Sequence, residues 1–147
     1  MALTVAFRPE HGYVLGVAAS TVILLQYLGF KAGSMRKKAG VPYPYLYADR
    51  AEAEAQPIKK LYNCYQRAHQ NTLENYPSFL LLLGAAGISY PIFATACGVS
   101  WIVGRLLYAH GYYTGTPARR LQGSIHLLGM VGLLGATVKT IWNMVTV

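Results

Sequence analysis

Residues 12–30, GYVLGVAASTVILLQYLGF, run for 19 positions without a charge. As a helix rising about 1.5 Å per residue, this stretch spans roughly 28 Å, close to the hydrocarbon thickness of a bilayer. The rest of the chain agrees with a membrane setting. Of its 147 residues, 54% are hydrophobic and 12% are charged, about half the charged fraction usual for soluble domains. Mean hydropathy is positive, at +0.30. A soluble all-helical protein with a large core is the disfavoured alternative.

Three further helical segments follow. The second is expected to start after Pro57 and end near Ser89 or Tyr90. Its first half is polar, QRAHQNTLENYP at 66–77, and its second half is apolar. Pro77 lies inside it, where a kink is expected. Pro91 leaves only a very short turn to the third segment, Ile92 to Tyr113, so these two are antiparallel neighbours. Gly115 and Pro117 then stop the chain. The fourth segment covers Leu121 to Thr146. Its Gly123, Gly129, Gly132 and Gly135 are small residues of the kind that let helices approach closely in lipid. Residues 39–57, with Pro42 and Pro44, read as a loop, and Tyr43, Tyr45 and Tyr47 suit an interfacial position. The expected architecture is one domain, residues 1–147: an all-α membrane protein built as a bundle of four transmembrane helices.

The net charge of +8 is unevenly placed. Lys31, Arg36, Lys37, Lys38, Arg50, Lys59, Lys60 and Arg67 lie between the first two apolar stretches, Arg119 and Arg120 between the last two, and none between the middle pair. This asymmetry puts the odd loops in the cytoplasm and both termini on the other side. No motif supports nucleic-acid binding as the source of the basic balance. Cys64 and Cys97 match no zinc or CxxC spacing and read as buried free thiols; no metal is implied. No basic region precedes the first apolar run, so a cleaved signal peptide is not expected.

Ionisable groups in a spanning helix are costly unless paired or lining a wet cavity. Arg67, Asn71 and Glu74 are spaced i, i+4, i+7 and share one helix face. Trp101, Arg105, Tyr108 and Tyr112 form a second stripe on the third segment. If the two stripes meet, they form a polar crevice near one membrane surface. A structural ion-pair network, with Glu74 answering Arg67 or Arg105, fits the same spacing. The surplus of arginines over carboxylates, with Arg36, Arg119 and Arg120 at the same end, favours an anionic ligand that also carries an amine. His69 and His110 are weaker signals, since a lone helical histidine is usually a hydrogen-bonded packing residue.

The motifs NCYQRAHQNTLENYP and WIVGRLLYAHGYYTGTPARR resemble the family of membrane-associated proteins in eicosanoid and glutathione metabolism, and within it the type-3 branch of the microsomal glutathione S-transferases. The resemblance runs from about Tyr13 to Met144. It implies a homotrimer of four-helix subunits in the endoplasmic reticulum or outer mitochondrial membrane. Glutathione, as co-substrate, would lie between neighbouring subunits near the cytoplasmic face. Arg67, Asn71 and Glu74 match the family's glutathione contacts on the second helix, and Arg36 a basic contact at the end of the first. His69 stands on the same motif, where relatives that make cysteinyl leukotrienes have Gln. Arg105, Tyr108 and Tyr112 match contacts on the third helix. The arginine that stabilises the glutathione thiolate falls at Arg119 counted without gaps, or at Arg120 with a shift of one. Asn75 replaces a Tyr of the leukotriene-forming relatives, and LYNCYQ replaces their acidic and aromatic residues.

The resemblance implies a membrane-bound glutathione S-transferase and peroxidase. It would act on lipophilic electrophiles and lipid hydroperoxides, which arrive from the membrane along a groove between the first helix and a neighbour's fourth. The alternative is a non-catalytic lipid-binding or scaffold protein of the same fold. The family's non-enzymatic member lacks the arginine after the third helix, so Arg119 and Arg120 favour an enzyme. A small transporter is disfavoured, because its sites would lie near the midplane on broken helices.

Overall fold

The computed structural model describes residues 6–146. It contains α1 (His11–Ala39), α2 (Arg50–Ala55), α3 (Pro57–Ser89), α4 (Pro91–Tyr113), a 3-10 segment (Pro117–Gly123) and α5 (Ile125–Val145). The four long helices are those expected from the sequence. α1 continues past Phe30 to Ala39, because Arg36, Lys37 and Lys38 suit the negative end of the helix dipole. Gly40 ends it at φ 63°, its N–H reaching the carbonyls of Arg36 and Lys37.

The segment read as a loop holds a helix of its own. Asp49 caps α2 by accepting from the Glu52 N–H at 2.7 Å. α3 starts with Pro57, whose missing N–H costs nothing in a first turn, and it runs unbroken through Pro77. Tyr90 alone separates α3 from α4.

α5 begins at Ile125 rather than Leu121. The intervening 3-10 segment lies with its backbone against α4. A Cβ on Gly111 would overlap the Arg119 carbonyl, and a Cβ on Gly123 would overlap the Gly104 carbonyl and the Tyr108 N–H. Only glycine permits that approach. Gly129 packs in the same manner against the Cys97 carbonyl, Gly132 packs against the Cys97 sulfur, and Gly135 faces open space. The expected glycine-packed face therefore stops one turn short.

α3 and α4 form the short diagonal of the bundle: each packs on the other and on both α1 and α5. The core contains Leu24, Leu28, Phe79, Leu83, Trp101 and Leu133. The Phe79 and Trp101 rings stack at 3.9 Å, a contact worth about 1 kcal/mol beyond area burial. A second, smaller core of Met35, Ala39, Val41, Ala48 and Tyr62 lies beneath the segment joining α1 to α2.

Outward faces carry Leu15, Ile23, Phe30, Leu128, Val131 and Val138, an apolar surface too continuous for water. α1, α4 and α5 are long and apolar enough to cross a membrane. α3 is the longest helix, at 33 residues, but its polar first half keeps it out of that class.

Candidate functional site

The two stripes do meet, in the half of the bundle where α3 is polar. Arg105 is fully buried. Its Nη2 donates to Asn71 Oδ1 at 2.8 Å. Its Nη2 and Nε both donate to Thr72 Oγ1, at 2.8 and 3.1 Å. The Thr72 hydroxyl hydrogen is itself committed to the Ala68 carbonyl at 2.9 Å, so its lone pairs face the guanidinium. Tyr108 lies under the cation, ring centroid 4.3 Å from Cζ. Arg105 has no carboxylate within ion-pair distance among the described residues.

Because Asn71 spends its oxygen on Arg105, its amide nitrogen points to Glu74 Oε2, at 3.4 Å. The other carboxylate oxygen of Glu74 accepts from Arg67 Nη1 at 2.9 Å. Both members of this ion pair are 43% exposed. An exposed pair contributes little to stability in water. Here it forms the outer wall of a network whose inner member, Arg105, is sealed in the bundle. Of the two pairings open to Glu74 from spacing alone, the direct one is with Arg67.

The remaining predicted residues divide. Tyr108 and Tyr112 pack edge to face at 5.2 Å, and the Arg120 guanidinium lies 5.9 Å from the Tyr112 ring centroid. Arg120 also donates to the Pro117 carbonyl at 3.4 Å. Arg119 is exposed, and its side chain makes no hydrogen bond or ion pair among the described residues. Arg36 lies outside the network. It is buried in the second core, donating to the Tyr45 and Leu46 carbonyls at 2.6 and 3.3 Å between the rings of Tyr43 and Tyr62. His69 faces α1, its ring against Gly29. Two residues from Arg67 and from Asn71, it lies about 200° around the helix from each and turns its back on them.

Two members of the network were not singled out from the sequence. Thr72 looks like a packing residue beside Asn71. His126 reaches Arg105 Nη1 from α5 at 3.5 Å. Its one sequence signal is that it is the only ionisable residue between Arg120 and Lys139.

Comparison with known proteins bears on this arrangement. A family model described as the MAPEG family matches residues 14–142. Human microsomal glutathione S-transferase 2 is 40% identical over 74 residues, covering 48% of this chain and 50% of that protein. An uncharacterized protein of Synechocystis sp. (strain ATCC 27184 / PCC 6803 / Kazusa) is 34% identical over 80 residues, covering 53% of this chain and 58% of that protein. The matched regions thus span only about half of each of these relatives.

Proposed function

The chain belongs to the MAPEG family, and from that premise we propose that it is a membrane-embedded glutathione S-transferase and glutathione peroxidase. Its co-substrate is glutathione, and its second substrates are lipophilic electrophiles and lipid hydroperoxides. The observation that carries this reading is the exposed Arg67–Glu74 pair on α3, held in place from behind by a buried arginine with no carboxylate of its own. Glutathione offers two carboxylates and an ammonium. Arg67 receives a carboxylate, because a guanidinium fork matches its geometry. Glu74 receives the ammonium. Arg105 acts through Asn71, fixing which way the amide points.

A free thiol has a pKa of about 8.5, so little thiolate exists at neutral pH. A nearby cation favours the anion. Of the two candidates, Arg120 is the better placed, since it hangs over Tyr112 on the stripe that carries Arg105. The thiolate sulfur attacks an electrophilic carbon to form a C–S bond, as a leaving group such as chloride departs with its electron pair, or as the π bond of an activated alkene breaks and the resulting carbanion takes a proton from water. Alternatively it attacks the terminal oxygen of a hydroperoxide, releasing the alcohol and leaving a sulfenic acid that a second glutathione reduces to the disulfide and water. In this reading α3 also spans the membrane, its polar half emerging at the basic, cytoplasmic end. A homotrimer in the endoplasmic reticulum or outer mitochondrial membrane encloses the exposed wall. Arg36 holds the segment between α1 and α2, and His69 packs α3 on α1.

The test is calorimetry of glutathione with the purified protein in detergent. The wild type is expected to bind saturably, and Glu74→Ala to bind about tenfold more weakly, the loss of one charge-assisted contact. A folded wild type that binds no glutathione overturns the proposal. Glutathione binding by the wild type without any turnover would favour the non-catalytic, lipid-binding reading, and turnover that survives both Arg119→Ala and Arg120→Ala would remove these arginines from the thiolate role.

A further inference from the structure

His126 lies at a junction that the proposed reaction does not yet use. It is buried at the start of α5. Its Nδ1 is 2.6 Å from the Gly123 carbonyl, which can only accept, so Nδ1 carries the proton. That leaves Nε2 as an acceptor, and the group facing it is Arg105 Nη1, at 3.5 Å. The Tyr108 ring closes the third side, edge to face with the imidazole at 5.8 Å. The histidine therefore has one nitrogen on the 3-10 segment that carries Arg119 and Arg120, and the other on the arginine that orients Asn71.

We infer that His126 is a positioning residue that couples the two halves of the site. Through Nε2 it sets the guanidinium of Arg105, and so the Asn71–Glu74–Arg67 wall that would grip glutathione. Through Nδ1 it holds Gly123, and so the segment whose arginine would face the thiolate. The backbone packing supports this division of labour. Gly104, one residue before Arg105, leaves no room for a side chain beneath the His126 backbone. The imidazole thus enters the bundle at a fixed depth. Without His126, Thr72 and Asn71 still accept from Nε and Nη2, but Nη1 loses its partner and the plane of the guanidinium is free to turn.

The inference rests on the glutathione reading. The two contacts can be removed separately. Asparagine places an amide nitrogen where Nδ1 sits but reaches no further. Glutamine places an amide oxygen where Nε2 sits but leaves the Gly123 carbonyl without its donor. The experiment is steady-state kinetics with glutathione and chlorodinitrobenzene in detergent, together with glutathione calorimetry, on the wild type, His126→Asn and His126→Gln. For His126→Asn, KM and Kd for glutathione are expected to rise about tenfold with kcat within about threefold of wild type. For His126→Gln the pattern reverses: Kd stays within about threefold, and kcat falls about tenfold. A residue that only fills space would raise Kd and lower kcat together in both variants, and that result overturns the inference. So does a folded His126→Asn with wild-type Kd. Where His126→Gln fails to fold, the NMR signal of the Arg105 Nε–H in His126→Asn, compared with wild type, decides the same question: faster exchange supports coupling, and unchanged exchange refutes it. Where His126→Asn fails to fold, His126→Gln decides it: unchanged Arg105 exchange with a tenfold lower kcat supports coupling, and faster exchange or a wild-type kcat refutes it. A wild type that binds no glutathione removes the proposed function itself. That outcome is distinct from wild-type binding that His126 variants leave untouched.

Discussion

Among the described residues, two arginines are drawn out of water without a carboxylate to pair with: Arg36 at the foot of α1, and Arg105 in the second half of α4. Their surroundings differ in kind. Arg36 is satisfied by backbone carbonyls of a segment nine and ten residues away in sequence, and by the faces of two tyrosines. The same segment is fastened a second time by Asn63, whose amide bonds both the N–H and the carbonyl of Ala48 at 2.9 Å. A third side chain fastens it through the Tyr62 hydroxyl, which donates to the Leu46 carbonyl at 2.6 Å. Arg105 is satisfied by side chains of α3 and α5, 21 to 34 residues distant. The first arrangement folds a strap over the end of the bundle. The second ties three helices together and sets the direction of exposed polar groups. A cation held by local backbone serves shape, whereas a cation held by side chains that carry further hydrogen bonds passes its orientation on.

The sharpest way to break this comparison is Arg105→Ala. It leaves Asn71 and Thr72 without their donor and opens a cavity between α3, α4 and α5. The expected cost is about 3 kcal/mol, seen as a lower thermal midpoint in detergent, with glutathione binding lost as well. A midpoint equal to wild type would mean that Arg105 is not the tie between the helices. Arg36→Ala is expected to have the smaller, local effect of about 1–2 kcal/mol. Its main sign is faster proteolysis in residues 41–49, with α3, α4 and α5 intact. If its glutathione affinity falls as far as that of Arg105→Ala, the strap and the site are not separate devices. Asp49→Ala refines the local side further. Losing the cap of α2 should cost at most about 1 kcal/mol. Hydrogen exchange should quicken at the Glu52 amide and leave the Arg105 network unchanged.

Much of the fold could be read from the chain. The uncharged run at 12–30, the polar-to-apolar change along α3, and the punctuation by Pro57, Pro91 and Pro117 mark four long helices. They also mark the tight turn between α3 and α4. The i, i+4, i+7 stripes predicted which side chains share a face, and Asn71 and Arg105 do meet. The ends were less legible. α1 outruns its apolar stretch, because lysine and arginine are good helix formers once outside lipid. α5 starts late, because the preceding residues follow the backbone of α4 instead of their own propensity. The meeting of side chains that makes up the candidate site was legible on α3 and α4, and less so elsewhere. His69 belongs to the same motif as Arg67 and Asn71, and Arg36 was matched to a basic contact at the end of the first helix, yet His69 turns to α1 and Arg36 to a strap.

By itself the sequence determined the periodicity: which residues lie on one side of each helix, where the charges fall along the chain, and how long each apolar run is. These are properties of a single element, set by 3.6 residues per turn and the cost of charge in lipid. Only the tertiary structure decided how each helix is rotated against its neighbours. That rotation sealed Arg105 inside while leaving Arg67 and Glu74 at the surface, sent Arg36 to carbonyl oxygens, and brought His126 from α5 to a site built on α3 and α4. Carbonyl acceptors carry no residue letter, and the rotation of a helix is a sum over every contact it makes. Neither can be read from any one stretch of chain.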